Sequence, residues 1–442
     1  MKISNKILVS FIIIFIILLP TKKIYANEFN MISTPNNIET SGKGMLLMDV
    51  DSGLILACKN PNEPMAPAST TKIMTALLTL ENCKLNEVVK IKTNPCLAEG
   101  SAIGLKEGDE YTVLELLYAL LLESANDAAI ALAEHISLNE TEFAKLMNEK
   151  ALKLGAKNTH FVNASGLYED NHYTTPYDLA LIMKDFSKHK EFIEICSKVS
   201  HEMPASIIDG KTKWVNNRNS LVFPTSKYYY KPIICSKTGY TTKSRHTYVA
   251  MAEKDNHRLI LTLFDYETKP NYYEDTIKLF NYGFDTFKPI KLYSKGDIVT
   301  EFKFNETTNV PLSLKEDIYY VIDKTKSNST YDLENLKSIL KSNFEIISNT
   351  AINKLTEIKK NEELFEGILY LEGKSFKTVP LVSEIDLSLK VQNNFLKFIK
   401  FNFKYIVFFI LFLIVILLFF ILFFKNKRKK SKYSRIFNNK NR

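Results

Sequence analysis

Pro67-Ala68-Ser69-Thr70-Thr71-Lys72-Ile73-Met74-Thr75-Ala76-Leu77-Leu78 is the stretch on which the reading of this chain turns. Pro67 disfavours helix just before it. Ile73, Met74, Ala76, Leu77 and Leu80 then recur at helical spacing, which predicts a helix over 69–80. Ser69 stands at its N-terminus, and Lys72 lies one turn along on the same face. This arrangement suits nucleophilic catalysis. A serine hydroxyl is inert at neutral pH until a base takes its proton, and a lysine amine is such a base once its pKa is depressed. Burial and a second nearby cation both depress it. The helix start also offers backbone N–H groups to a developing oxyanion. Spacing alone carries little weight, because Ser-x-x-Lys recurs at Ser187–Lys190 and Ser338–Lys341, where nothing around it looks catalytic.

Two further segments join it. Glu123-Ser124-Ala125-Asn126-Asp127-Ala128-Ala129 interrupts an apolar run between predicted helices at 113–122 and 128–135. Ser124 and Asn126 are two apart, so in a loop both can face one cleft; a helix cap is the plain alternative. Lys237-Thr238-Gly239-Tyr240 is predicted to end a strand over 233–236. Lys237 and Thr238 can hold a carboxylate through charge and hydroxyl, and Gly239 allows close approach to the backbone. An ordinary strand end with a turn is the alternative there.

The remaining pattern frames these segments. A length of 442 residues, 45% hydrophobic and 24% charged, is enough for two domains with cores. The net charge of +9 is concentrated at the ends, and Lys425 to Arg442 contains nine Lys or Arg and no acid. That excess points to a membrane and away from nucleic acid. Lys2 and Lys6, an apolar run over 7–19 and Ile24-Tyr25-Ala26 read as an export signal over 1–26, cleaved after Ala26, with an uncleaved anchor as the alternative. Residues 27–40 form a flexible polar lead. Residues 405–424 are apolar and uncharged, the length of a bilayer-spanning helix, after a juxtamembrane linker over 391–404. The basic tail over 425–442 is then cytoplasmic and the rest of the mature chain outside.

Strand-like runs at 45–50 and 54–58 flank the turn Asp51-Ser52-Gly53 and predict a hairpin. Helices are expected at 142–154 and 177–188, strands at 246–253 and 257–264, and a helix at 274–284. Strands, a helical block, then strands and a last helix suggest one sheet with the first and last segments adjacent and a helical subdomain inserted. This places an α/β (α+β) domain over 41–287. Short strand-like runs at 291–300, 303–310, 318–321, 365–371 and 376–381 then make a small β-rich domain over 288–390. The five cysteines, Cys58, Cys83, Cys96, Cys196 and Cys235, are odd in number and scattered, and are expected as small buried hydrophobes, with one disulfide pair in an exported chain as the alternative. His135, His160, His172 and His246 lack ligand spacing and are expected in ordinary polar packing. No metal and no cofactor are expected.

Taken in order, Ser-x-x-Lys, Ser-x-Asn and Lys-Thr-Gly form the set that marks class A β-lactamases and penicillin-binding proteins, whose middle motif is Ser-Asp-Asn. The chain resembles the serine D-alanyl-D-alanine carboxypeptidases, the low-molecular-mass penicillin-binding proteins, over about residues 40–285. Residues 67–76 look like the family's first box, and Ser124 to Ala129 with Ala131-Leu132-Ala133-Glu134 like its second. His160-Phe161, Asn163, Ser165-Gly166-Leu167 and His172-Tyr173-Thr174-Thr175 are family-like connections, as is Asn217-Arg218-Asn219. Where the family has a small Ala-Gly-like pair after the third box, Ser244-Arg245 stands here.

The resemblance implies a penicillin-binding/β-lactamase-like transpeptidase fold and removal of the terminal D-alanine from peptidoglycan pentapeptide stems, in cell-wall biogenesis and cell shape. It assigns Ser69 as nucleophile, Lys72 as base and Ser124 as proton relay. Asn126 contacts the peptide or orients Lys72, and Lys237 and Thr238 bind the terminal carboxylate. Gly239 lines the cleft, and the N–H groups of Ser69 and Tyr240 form the oxyanion hole. β-Lactam antibiotics are then expected to acylate Ser69, and the catalytic domain to lie outside the cell on a single-pass anchor. A β-lactamase, a peptidoglycan endopeptidase or a non-enzymatic, membrane-presented sensor are the alternatives. A lactamase would bring a Glu-x-x-Leu-Asn element, absent between Ser124 and Lys237.

Overall fold

Nearly continuous apolar runs within residues 44–59 and 233–266, buried on both faces, build one antiparallel sheet. In this computed structural model its strands are β1 (Gly44–Asp49), β2 (Ile55–Lys59), β3 (Ile233–Thr241), β4 (Arg245–Lys254) and β5 (His257–Tyr266). The described residues are 39–304, 307–325, 337–338, 342–347, 357–371, 373–388, 404–405 and 407–421. The strand order is β2-β1-β5-β4-β3. The first hairpin therefore pairs with a strand from the far end of the unit, with Gly44 opposite Phe264 and Asp49 opposite Leu259.

β1 is buried along its whole length because both faces of the sheet are covered. Leu46, Met48, Ile260, Phe264, Val249 and Met251 point into the core shared with the helices. Leu47 and Leu259 point the other way, onto Gly283 of the closing helix Lys269–Thr286, where a Cβ would sit 3.1 Å from the Leu47 side chain. The helical block is inserted between β2 and β3. It comprises α1 (Lys72–Asn82), α2 (Val113–Tyr118), α3 (Asn126–Ile136), α4 (Glu140–Lys153), α5 (Pro176–Phe186) and α6 (Lys190–Ser197). Side chains start three of them in the usual way: Thr112, Asn139 and Thr175 accept the N–H groups of Glu115, Glu142 and Asp178.

Three local expectations change. The helix predicted over 69–80 is a 3-10 turn, Ala68–Thr71, that leads into α1. The helix predicted over 113–122 is α-helical only to Tyr118 and then widens into a π turn, Ala119–Glu123. Lys237 lies inside β3 and not at its end, paired in register with Val249, because the alternation continues through Gly239 and Thr241. Helix α6 and the hairpin of Ser200–Met203 with Lys213–Asn216 have too few residues for a periodic signal and carry no sequence expectation.

By contacts the chain forms two units, and strands β6 (Phe287–Tyr293) and β9 (Ile318–Asp323) group with the first, where they pair with each other. The second unit holds the sheet β7-β8-β12-β11-β10, made of Ile298–Lys303, Asn309–Leu314, Lys374–Ser383, Glu363–Leu371 and Asn343–Ile347 in that order. Phe365, Leu369, Val379 and Leu381 are buried in it. The strand expected at 291–300 straddles a turn at Lys295-Gly296, which interrupts the alternation, and the run expected at 303–310 is divided between the end of β7 at Lys303 and the start of β8 at Asn309.

Residues 407–421 are helical and exposed. Among the described residues no helix is long and apolar enough to cross a membrane. The expected signal over 1–26, most of the lead over 27–40, the linker at 391–403 and the tail at 425–442 lie outside the described residues, as do 406 and 422–424 of the expected span.

Candidate active site

Ser69 sits on the 3-10 turn that enters α1, and the sheet fixes this turn in place. Pro67 O accepts the hydroxyls of Thr70 at 2.7 Å and of Thr247, on β4, at 2.8 Å. Ala68 is left-handed, with φ +48°, a region that a residue with a Cβ seldom adopts. Gly239 on β3 presses on the same turn, and a Cβ there would lie 2.9 Å from the Ser69 backbone nitrogen. Gly166 presses from the other side, with φ +81°, and leaves no room for a Cβ against the Ala68 carbonyl.

Lys72 is the first residue of α1 and is fully buried. Its Nζ lies 3.1 Å from Ser69 Oγ, 2.6 Å from Asn126 Oδ1 and 2.6 Å from the Ser165 carbonyl. Burial, then the positive charge of Lys237, hold its pKa well below the ordinary lysine value, against the opposing pull of Asp127 and Glu140. Asn126 starts α3. Its Nδ2 donates to Glu99 O at 2.6 Å, which turns Oδ1 toward Lys72.

Ser124 closes the π turn. The Ala125 N–H reaches back to Ala119 O at 3.1 Å, and Ser124 takes φ +65° and ψ +32°. A π turn holds one residue more than an α turn, and such turns are frequent at functional sites. The Ser124 hydroxyl accepts a hydrogen bond from Lys237 Nζ at 2.9 Å. Lys237 also donates to Thr238 O at 2.9 Å. Burial brings its pKa down to about 7; Cys196 and Glu123 oppose the fall and Arg218 adds to it. Thr238 is half-buried, and Tyr240 is exposed with its ring 4.6 Å from that of His246.

The structure thus brings Ser69, Lys72, Ser124, Asn126, Lys237 and Gly239 together, from three segments far apart in sequence. Other contributors carry no role in the sequence reading. Asp127 is buried and accepts the N–H groups of Ile103 and Leu105 at 3.1 and 3.0 Å, holding the loop that passes Asn126. His172 is buried with Nε2 2.9 Å from Thr71 Oγ1, while its Nδ1 accepts the Val162 N–H at 3.2 Å. Burial, then the charges of His160 and Lys72, push its pKa down to about 3. The ring is therefore neutral, and the Nδ1 contact assigns its proton to Nε2, aimed at Thr71. Arg218 forms an ion pair with Glu123, next to Ser124. The second family-like box, which includes Asp127, and the family-like connections containing Ser165, His172 and Arg218 signalled these positions.

An antiparallel sheet flanked by a helical block, with serine and lysine on one turn facing a second lysine on an edge strand, is the architecture of penicillin-binding proteins. Penicillin-binding protein 5 of Haemophilus influenzae has this fold, with a TM-score of 0.62 and 26% identity over 80% of this chain and 99% of that one. A mutant form of the Streptomyces K15 DD-transpeptidase matches at TM-score 0.52 and 29% identity, covering 56% of this chain and 99% of that one. Residues 30–268 match the D-alanyl-D-alanine carboxypeptidase model of peptidase S11, and residues 287–388 match the penicillin-binding protein 5 C-terminal domain. The D-alanyl-D-alanine carboxypeptidase DacF of Bacillus subtilis is 30% identical over 365 residues, 81% of this chain and 88% of that protein. The chain belongs to the D-alanyl-D-alanine carboxypeptidase family and is a serine peptidase.

Proposed function

We propose that this chain removes the terminal D-alanine from peptidoglycan pentapeptide stems through an acyl-enzyme on Ser69, and that penicillin acylates the same hydroxyl. One observation carries the reading. A neutral amine has two N–H groups and one lone pair. At Lys72 two carbonyl oxygens, Asn126 Oδ1 and Ser165 O, each 2.6 Å away, take the N–H groups, and the lone pair is left for the Ser69 hydroxyl at 3.1 Å. The lysine is poised to take a proton from the nucleophile.

The remaining roles are those that the family resemblance implies for these residues. Ser69 Oγ attacks the carbonyl between the two D-alanines while Lys72 takes its proton. The N–H groups of Ser69 and Tyr240 receive the oxyanion; such a donor is worth about 2.7–4 kcal/mol. Ser124, tied to Lys237, returns a proton to the leaving amine. Lys237 and Thr238 hold the substrate carboxylate, with Gly239 keeping the strand close to the nucleophile. Water then releases the shortened peptide. We read the export signal over 1–26, the span over 405–424 and the basic tail as holding the catalytic unit outside the cytoplasmic membrane. The row of exposed apolar side chains from Val407 to Ile421 supports a lipid-facing helix.

Mass spectrometry of a pentapeptide incubated with the full-length protein tests the chemistry. Loss of one D-alanine, abolished in Ser69→Ala, is expected. Unchanged trimming by that variant rules the mechanism out. Rapid nitrocefin turnover would favour a lactamase, and a long-lived acyl adduct the carboxypeptidase.

A further inference from the structure

Helices α1 and α3 carry Lys72 and Asn126 at their N-terminal ends. Their opposite ends meet at a second cluster. Cys83 directly follows α1, His135 lies in the last turn of α3, and Glu87 precedes the short strand Val88–Lys90. One ligand atom from each, the Cys83 sulfur, a Glu87 carboxylate oxygen and a His135 ring nitrogen, lie within 4.8 Å of one another. His135 Nε2 is 3.4 Å from Glu87 Oε2. The other carboxylate oxygen accepts the Lys84 N–H at 2.9 Å, which fixes the carboxylate and turns Oε2 to the cluster. Cys83 and Glu87 are half-buried and His135 is exposed, so an ion has access from solvent.

We propose that Cys83, Glu87 and His135 form a binding site for a zinc-class divalent cation. Thiolate, imidazole and carboxylate together are a donor set for zinc, with bonds of about 2.0–2.3 Å and a tetrahedral arrangement. Such bonds place ligand atoms about 3.3–3.8 Å apart, which side-chain rotation reaches from the present separations. Water fills the fourth position. On binding, the Cys83 thiol releases its proton to solvent and the sulfur becomes a ligand, while the proton that His135 Nε2 directs at Glu87 Oε2 passes to Nδ1, which frees the Nε2 lone pair for the ion. Affinity therefore rises with pH. The bound ion ties α1, α3 and the connection after α1 at the ends remote from the nucleophile, so its role is structural. This reading is independent of the peptidase chemistry.

Cobalt(II) alone, titrated into the full-length protein, is the probe. We expect one equivalent to give a near-ultraviolet sulfur-to-cobalt band and visible bands of tetrahedral intensity, displaced by zinc(II). Cys83→Ser should abolish the sulfur band, and His135→Gln should weaken cobalt binding at least tenfold. Zinc(II) should raise the Tm of the wild type but not of Cys83→Ser. Penicillin labelling of both variants checks that they fold. Absence of the band, or its persistence in Cys83→Ser with Cys58, Cys96, Cys196 and Cys235 intact, overturns the site.

Discussion

Lys237 is the group whose charge the pH of the medium should control, and replacing it with arginine separates charge from position. Its pKa lies at about 7, against 10.5 for a free lysine. That displacement corresponds to roughly 5 kcal/mol against the buried ammonium. In the free enzyme the cation is thus present below pH 7 and lost above it. A charged hydrogen bond to a carboxylate contributes about 1.5–3 kcal/mol, which is about 10- to 150-fold in acylation efficiency. Acylation by benzylpenicillin, which carries a carboxylate, should therefore fall by about that factor between pH 7 and 9 and then level off. In the proposed mechanism Lys72 must be neutral to act, so it contributes the acid limb. The two lysines feel each other's charge, and the measured values belong to the pair. Lys237→Arg stays charged throughout, so its alkaline limb should vanish while its acid limb remains. The assay is stopped-flow acylation from pH 5 to 10, on full-length wild type and variant. A wild-type limb centred above pH 9.5, or the same limb in the arginine variant, refutes the assignment of the cation to Lys237.

Lys72→Ala should slow acylation by about 10²–10⁴-fold, the worth of a positioned base, as read by stopped-flow acylation with benzylpenicillin. Gly239→Ala places a methyl group 2.9 Å from the Ser69 nitrogen and should abolish penicillin labelling while the β-sheet signal in circular dichroism persists. Asp127→Ala strands the buried N–H of Leu105 at about 1–3 kcal/mol and frees the half-buried N–H of Ile103, and hydrogen exchange over residues 99–105 should quicken; unaltered protection there argues against the tether. His172 has a folded pKa of about 3, below its unfolded value of 6.5. The unfolded chain then binds the extra proton first, so stability is full above pH 6.5 and is lost as pH falls toward 3. In denaturant titrations His172→Gln should flatten that decline, and an equal slope in both proteins would exclude His172 as its source.

The apolar periodicities located the strands of the sheet and the long helices, because burial dictates those patterns directly, whereas the three segments that meet at Ser69 were marked by their motifs taken in order. Three features were not legible. The run from Leu116 to Leu122 is apolar throughout, so nothing in its period marks the change to a π turn at Ala119; only in the fold is that turn seen against Arg218, which pairs with Glu123 and gives its N–H to Leu122 O at 3.2 Å. Ser165 acts through its backbone carbonyl, which no side-chain pattern can announce. His172 looks like any polar core residue until Thr71, a hundred positions earlier, is seen beside it. The domain boundary near 288 follows a change of composition, whereas contacts attach residues 287–293 to the first unit through pairing with 318–323. Strand partners cannot be read from one strand's sequence.

The pairing of β1 with β5 bears on how the nascent polypeptide matures. Gly44 meets Phe264 across the ladder, so during synthesis the opening hairpin has no permanent neighbour until the segment ending at Tyr266 has emerged. Loop closure of that span is slow compared with local helix formation. A truncation upstream of residue 257 would leave β1 with an unsatisfied flank and invite pairing between copies. Expression fragments meant to capture penicillin should therefore extend at least through the helix Lys269–Thr286.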